Sequence, residues 1–337
     1  MEEIISKISR LMEKDDSTIL EEHGIRGVNL SRDNFKKIKE SEGKKVAFVD
    51  GGNAELLKAV NFSLSLVRIY ANIFQKNKKI DEKKKEFYVL VHSDTEDGKL
   101  KYKTEIFPVK GDIMGRRFDF YADDPTLKDG VNKADISRIG GVVRRFAEIE
   151  IAGEISGNAD IVVLDGSLRC CVKGEKKIMD QLYENAMHEN TVVAALNKTS
   201  SIYTDKGNDL LNSVNIISPE GAWLYHPVAE IDDENYRAEI SIVKLNSGSE
   251  YLFNLEVFKS QKDMVPIVAG ELGDNSKDVG FPGYPYGLLM ADRFAKISEE
   301  EKEYFITKFQ AKAGGLWKEI KNRLNVKNSH DILNSLN

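Results

Sequence analysis

Cysteine is nearly absent: the 337 residues hold two, adjacent at Cys170 and Cys171. Neighbouring residues on a regular backbone rarely bridge, and neither a Cys-x-x-Cys pair nor a histidine-rich cluster accompanies them. A disulfide framework and a thiolate zinc site are excluded, and reduced structural thiols are expected. No apolar run approaches the roughly 18 to 20 residues of a membrane span. The start, Met1-Glu2-Glu3, lacks the basic and apolar regions of a signal peptide. A cytoplasmic protein with no membrane partner is the expectation. Positive charge is not in excess either. A net charge of -6 argues against a surface coated in basic residues for nucleic acid, and leaves a local basic groove as the available arrangement. Internal repeats and linker-like stretches are also missing, so nothing demands two separate domains.

What is present is the balance of a soluble globular chain, 41% hydrophobic and 31% charged, long enough to bury a sizeable core. Its most informative stretch is Lys44-Lys45-Val46-Ala47-Phe48-Val49-Asp50-Gly51-Gly52-Asn53. Four uninterrupted apolar residues predict a strand buried on both faces, which stops on a carboxylate followed by two glycines able to turn sharply or approach a ligand. The pattern recurs in Ile161-Val162-Val163-Leu164-Asp165-Gly166-Ser167-Leu168. Side by side, two such strands would bring Asp50 and Asp165 within a few ångströms. Paired carboxylates repel, and persist most easily where a divalent cation neutralises them. Taken singly, each is also an ordinary Asp-Gly turn.

Along the chain, residues 1–44 read as a helical arm, with Ile4, Ile5, Ile8, Leu11 and Met12 at helical spacing. After the Asp50 strand, residues 60–70 and 86–92 predict two further strands of an antiparallel meander, and Tyr102 to Val109 another. Lys76, Lys78, Lys79, Lys83, Lys84 and Lys85 lie between the second and third strands, as a solvated hairpin loop or a phosphate-tracking rim. Asp123, Asp124 and Asp129 predict turn chemistry, with a metal loop disfavoured by the spacing. A helix over about 133–152 carries the apolar stripe Ile136, Ile139, Val143, Phe146, Ala147 and Ile151, with Glu148 and Glu150 near its end. The Asp165 strand, a helix over about 175–188 and a strand over 191–196 then imply a parallel pair with a right-handed crossover. Residues 214–268 read as a β-rich section, and Gly283-Tyr284-Pro285-Tyr286 leads into a helix. Ser298 and Glu301 predict a capping box opening a helix towards Leu324, followed by a frayed tail.

Three antiparallel strands, then helix, strand, helix, strand, is the order of the α/β ribonuclease H-like fold. There, acids from the first strand, the first helix and the fourth strand meet; here those are Asp50, Glu148 and Asp165. The chain resembles the NurA nucleases in five fragments over roughly residues 45–297: Val49-Asp50-Gly51-Gly52, Arg144-Arg145-Phe146-Ala147-Glu148, Leu164-Asp165-Gly166-Ser167-Leu168, Leu196-Asn197-Lys198-Thr199-Ser200, and Gly283-Tyr284-Pro285-Tyr286 with Ala291-Asp292-Arg293. The resemblance implies a manganese- or magnesium-dependent DNA nuclease acting on single strands and degrading duplex ends 5′ to 3′. It implies a homodimer working beside a hexameric HerA-type ATPase in DNA end resection and double-strand break repair. It also implies that Asp50, Glu148, Asp165 and Asp292 bind metal, the last where several relatives carry histidine, and that Lys198 and Tyr284 contact phosphate. A surface lysine and a packed tyrosine are the plainer readings of those two. Helical geometry alone puts Glu150 nearer the stripe's centre, whereas the family pattern selects Glu148.

On this reading the domains are 1–44, the arm; 45–297, the nuclease unit with the β-rich section as an addition; and 298–337, the last helix and tail. Two rivals belong to other classes. An ATP-using phosphotransferase on a related fold would need a second half that repeats the first, which the sequence after residue 200 does not supply. A non-catalytic DNA-end binding protein would keep the fold with idle acids.

Overall fold

The computed structural model describes residues 1–12, 19, 24–112, 117–128, 130–200 and 202–325. Helix α1 (Glu2–Met12) and two short strands, β1 (Ile25–Gly27) and β2 (Phe35–Lys37), precede the core. The helical reading of residues 1–44 therefore fails at residues 25–27 and 35–37, which are strands. Ile25 to Gly27 pair with residues 229–231, and Phe35 to Lys37 with residues 223–225, so partners distant in sequence decide the conformation.

Strands β3 (Lys45–Lys58), β4 (Phe62–Gln75), β5 (Lys78–Glu96), β6 (Lys99–Lys110) and β7 (Asp119–Tyr121) form an antiparallel meander. Two details differ from expectation. β3 runs straight through Gly51 and Gly52 instead of turning there. The lysine cluster is not a loop: only Lys76 and Asn77 make the turn, both at positive φ, and Lys78 to Lys85 belong to β5. Lys83 and Lys85 pair with Glu154 at 2.6 and 2.5 Å, which removes them from a free phosphate rim. Of the predicted aspartate turn, Asp124 accepts from the Thr126 N–H and hydroxyl; Asp129 lies outside the described residues.

Next come α2 (Arg138–Ile155), β8 (Ile161–Asp165), α3 (Glu175–His188), β9 (Val192–Asn197) and α4 (Leu210–Ile217). Then follow β10 (Trp223–Tyr225), β11 (Ala229–Ile231), β12 (Ala238–Lys244) and β13 (Phe253–Phe258). The chain closes with α5 (Val265–Asn275), α6 (Tyr286–Ala295), α7 (Glu299–Ala313) and α8 (Trp317–Asn325). The β-rich section thus begins and ends in helix. Its strands are no separate addition: β13 pairs antiparallel with β9, and one eleven-stranded sheet runs β2-β10-β12-β13-β9-β8-β3-β4-β5-β6-β7. The capping box of Ser298 and Glu301 is present. The single helix expected after it breaks at Gly314, whose φ of 54 suits glycine, and the expected frayed tail, residues 326–337, lies outside the described residues.

β3 is parallel to β8, and β8 to β9. One face of this central group packs on α2 and α3 through Ala47, Val49, Val143 and Leu182; the other packs on α5 and α6 through Val46, Phe48, Leu272 and Leu288. That is why Val46 to Val49 are apolar without alternation. Among the described residues no helix is long and apolar enough to cross a membrane. Cys170 and Cys171 are free, and burial pushes the Cys170 thiol up to about 12.

Candidate active site

The register places Val49 opposite Leu164, so the residues that follow, Asp50 and Asp165, stand side by side on adjacent strands. Asp50 is 9% exposed, and its Oδ1 accepts from the Gly51 N–H at 2.7 Å. Burial, then the charges of Glu148 and Asp165, raise its pKa to about 7, against the opposing effects of Gly51 and Arg144.

Alternation along β3 puts Asp50 on the α6 face with Val46 and Phe48, and Gly51 on the α2 face. The missing side chain at Gly51 is what admits Glu148. A Cβ there would stand 2.5 Å from Glu148 Oε1 and 3.1 Å from Arg144 Cγ. Gly52 has an equivalent duty towards α6, where a Cβ would stand 2.3 Å from the Ala295 carbonyl oxygen. Glu148 itself is buried, and burial raises its pKa against the lowering effect of Arg144 and Arg145. Glu150 is half-buried on the same helix.

Asp165 Oδ2 accepts from Lys198 Nζ at 2.8 Å and from the Tyr284 hydroxyl at 3.1 Å. Tyr284 is buried, and burial followed by the charge of Asp165 raises its phenol above the ordinary value. A phenol so placed stays protonated and donates. The Lys198 ammonium lies 5.0 Å from the Tyr284 ring centre. Asp292, on α6, is exposed; it raises the Tyr284 phenol and shares with Lys198 and Tyr284 the wall of a cavity of about 320 Å³. Asp50, Glu148 and Asp165 thus act on one another, and Asp292 acts on Tyr284 at their edge.

Every donor here is a carboxylate oxygen, a set that suits magnesium or manganese. Asp50 and Glu148, both raised by burial and then by neighbouring carboxylate charge, are also what a divalent cation would relieve. As the side chains stand, no group of three His, Cys, Asp or Glu among the described residues is arranged to hold a metal ion. Their present partners supply the reason. Arg144 Nη1 binds both Glu148 and the Gly51 carbonyl, Arg145 lies 3.6 Å from Glu148, and Lys198 and Tyr284 engage Asp165. The donor set fits a hard cation, and basic neighbours now offset its charge.

Four supporting residues were not singled out from the sequence. Arg144 and Arg145 sit four and three positions before Glu148, a spacing that signals helical ion pairs. Arg145 also binds Glu175 at 3.0 Å and the Ser167 carbonyl. Glu256, fully buried in β13, accepts from the Leu168 N–H at 2.7 Å, the Ser167 hydroxyl at 3.0 Å and the Tyr236 hydroxyl at 2.8 Å. It pins the turn that follows Asp165. An acid interrupting the apolar run Leu255-Glu256-Val257-Phe258 was the available signal.

The fold and site define a mixed α/β protein with a buried acid cluster where β3, β8 and α2 meet. A family model described as NurA domain matches residues 44–297, and the chain belongs to the NurA family. The crystal structure of the NurA nuclease from Sulfolobus solfataricus is similar over 93% of each chain, with a TM-score of 0.53 at 14% identity. Weaker likeness extends to endonuclease V from Ciona intestinalis in complex with inosine-containing DNA, with a TM-score of 0.38 at 10% identity over 80% of this chain and 92% of that one. Argonaute from Aquifex aeolicus has a TM-score of 0.33 at 12% identity over 76% of this chain and 29% of that one. No curated protein sequence matches the chain.

Proposed function

We propose that this protein is a divalent-metal-dependent nuclease that hydrolyses DNA phosphodiesters on a ribonuclease H-like core. The observation that carries the reading is the convergence of Asp50, Glu148 and Asp165 from β3, α2 and β8: the register sets Asp50 beside Asp165, Glu148 packs against Gly51, and burial with the charges of the other two raises the Asp50 pKa. The order β5-β4-β3-β8-β9, antiparallel and then parallel, supports the core assignment, and family membership supports the substrate. When bound, magnesium or manganese would activate water and stabilise charge on the phosphoryl oxygens. Asp50, Glu148 and Asp165 would hold the ion, with Asp292 joining from α6. Arg144 and Lys198 are partly exposed and long enough to swing clear of the acids they now touch. Lys198 would then meet a phosphate oxygen, and the protonated Tyr284 would donate to Asp165 or to the phosphate. Single-strand endonuclease and 5′ to 3′ exonuclease action, a homodimer, and work with a HerA-type ATPase in end resection and break repair complete the proposal; family membership is their support.

Asp50→Asn tests the chemistry at almost constant shape, since the amide oxygen can still accept from Gly51. Cleavage of labelled DNA with manganese is expected to fall to background while circular dichroism and the elution volume stay unchanged. Retained cleavage would discard the site. ATP hydrolysis without DNA cleavage would point to a phosphotransferase.

A further inference from the structure

The cavity beside the acids has a second wall of another character. Tyr251 and Phe281 stack with ring centres 5.6 Å apart and planes 9° from parallel, yet they remain 52% and 39% exposed. Burial does not account for two large rings held parallel in water. Phe281 meets Tyr284 edge-on at 6.2 Å, so the pair leads directly to the tyrosine that donates to Asp165. Lys198 supplies a half-exposed cation at the same opening.

Their loops fix the rings. Gly283 sits at φ 96, and a Cβ there would stand 2.3 Å from Ser249 Oγ, the atom that accepts from the Tyr251 N–H at 3.1 Å. The Gly283 N–H and the Asn246 side-chain amide both donate to the Ser276 carbonyl, at 2.9 and 3.1 Å. Residues 246–251 and 276–284 are therefore locked together, and the aromatic pair is formed before anything binds.

We propose that Tyr251 and Phe281 form a stacking platform for unpaired nucleobases of a single-stranded DNA end. The base lies on the exposed rings, the adjoining phosphate lies beside Lys198, and the next linkage reaches Asp50, Glu148 and Asp165. This rests on the nuclease reading and adds to it the means of strand selection. Every base has a π-face, so the platform is tolerant of sequence; a base inside a duplex has both faces occupied and gains nothing from it.

The test is equilibrium binding to the intact chain in EDTA, where cleavage does not intervene, followed by fluorescence anisotropy of labelled oligothymidylate and of a labelled blunt duplex. Tyr251→Ala and Phe281→Ala are each expected to weaken oligothymidylate binding about tenfold, with duplex binding changed less than about twofold. Tyr251→Phe and Phe281→Tyr should bind like the parent, whereas Phe281→Leu, which keeps apolar bulk without a π-face, should behave like the alanine variant. An abasic oligomer should bind the parent as weakly as oligothymidylate binds the alanine variants. Unchanged affinity in the alanine variants, or equal loss for duplex and abasic DNA, would overturn the platform and leave the nuclease reading standing if the parent still cuts DNA. A parent that neither binds nor cuts DNA would overturn both.

Discussion

Asp50 sits in an environment that conflicts with its charge, and the conflict is measurable without any substrate. Its folded-state pKa of about 7 lies above the ordinary 3.8, so the folded chain binds this proton more tightly than the unfolded chain does. The resulting stabilisation is complete below about pH 4 and is lost as the pH rises through 7. In cation-free protein the loss is on the order of 4 kcal/mol. Asp50→Asn removes the titration, so at pH 8 in chelator the variant is expected to be more stable than the parent to urea, with the gap closing as the pH falls to 4. A variant no more stable than the parent at pH 8 would mean that burial and the charges of Glu148 and Asp165 do not oppose the ionised form of Asp50. The same substitution is expected to end cleavage, so one residue ties gained stability to lost activity.

At the scale of elements, α6 is placed by two glycines. A Cβ at Gly287 would lie 2.0 Å from the Phe48 ring, and the Gly287 carbonyl accepts from the buried Asn72 amide at 2.9 Å. Gly287→Ala is expected to force α6 off β3, costing about 1 to 3 kcal/mol in urea unfolding. Cleavage should fall with it, because α6 carries Asp292 and follows Tyr284. Parent-like stability and activity would contradict this packing. Such glycines show where the sequence was readable and where it was not. The apolar run Val46 to Val49 and the stripe through Ile139, Val143 and Phe146 announced their elements, because burial on both faces or on one stripe leaves a local signature. Asp50, Glu148 and Asp165 were legible because each closes or borders such a signature. Gly51 and Gly52 read as a sharp turn or as room for a ligand's close approach, yet they lie in a continuing strand; what they admit, Glu148 and the end of α6, depends on partners far along the chain. The β1 and β2 segments, the strand position of Lys78 to Lys85, and the role of Glu256 were hidden for the same reason.

Across the whole molecule, the eleven-stranded sheet explains why the β-rich section needs no domain of its own: β13 continues from β9, and Glu256 within it supports the turn after Asp165. It also concentrates negative charge at the sheet's centre in a chain that is acidic overall, while Lys83 and Lys85 of the lysine cluster are engaged by Glu154. An anionic DNA backbone can approach such a centre only if its charge is offset. The most direct test is anomalous diffraction at the manganese edge from crystals grown with manganese. The expected result is a peak contacting the carboxylates of Asp50, Glu148 and Asp165, with Arg144 released from Glu148 and Lys198 released from Asp165. A peak elsewhere, with those contacts intact, would contradict the central claim.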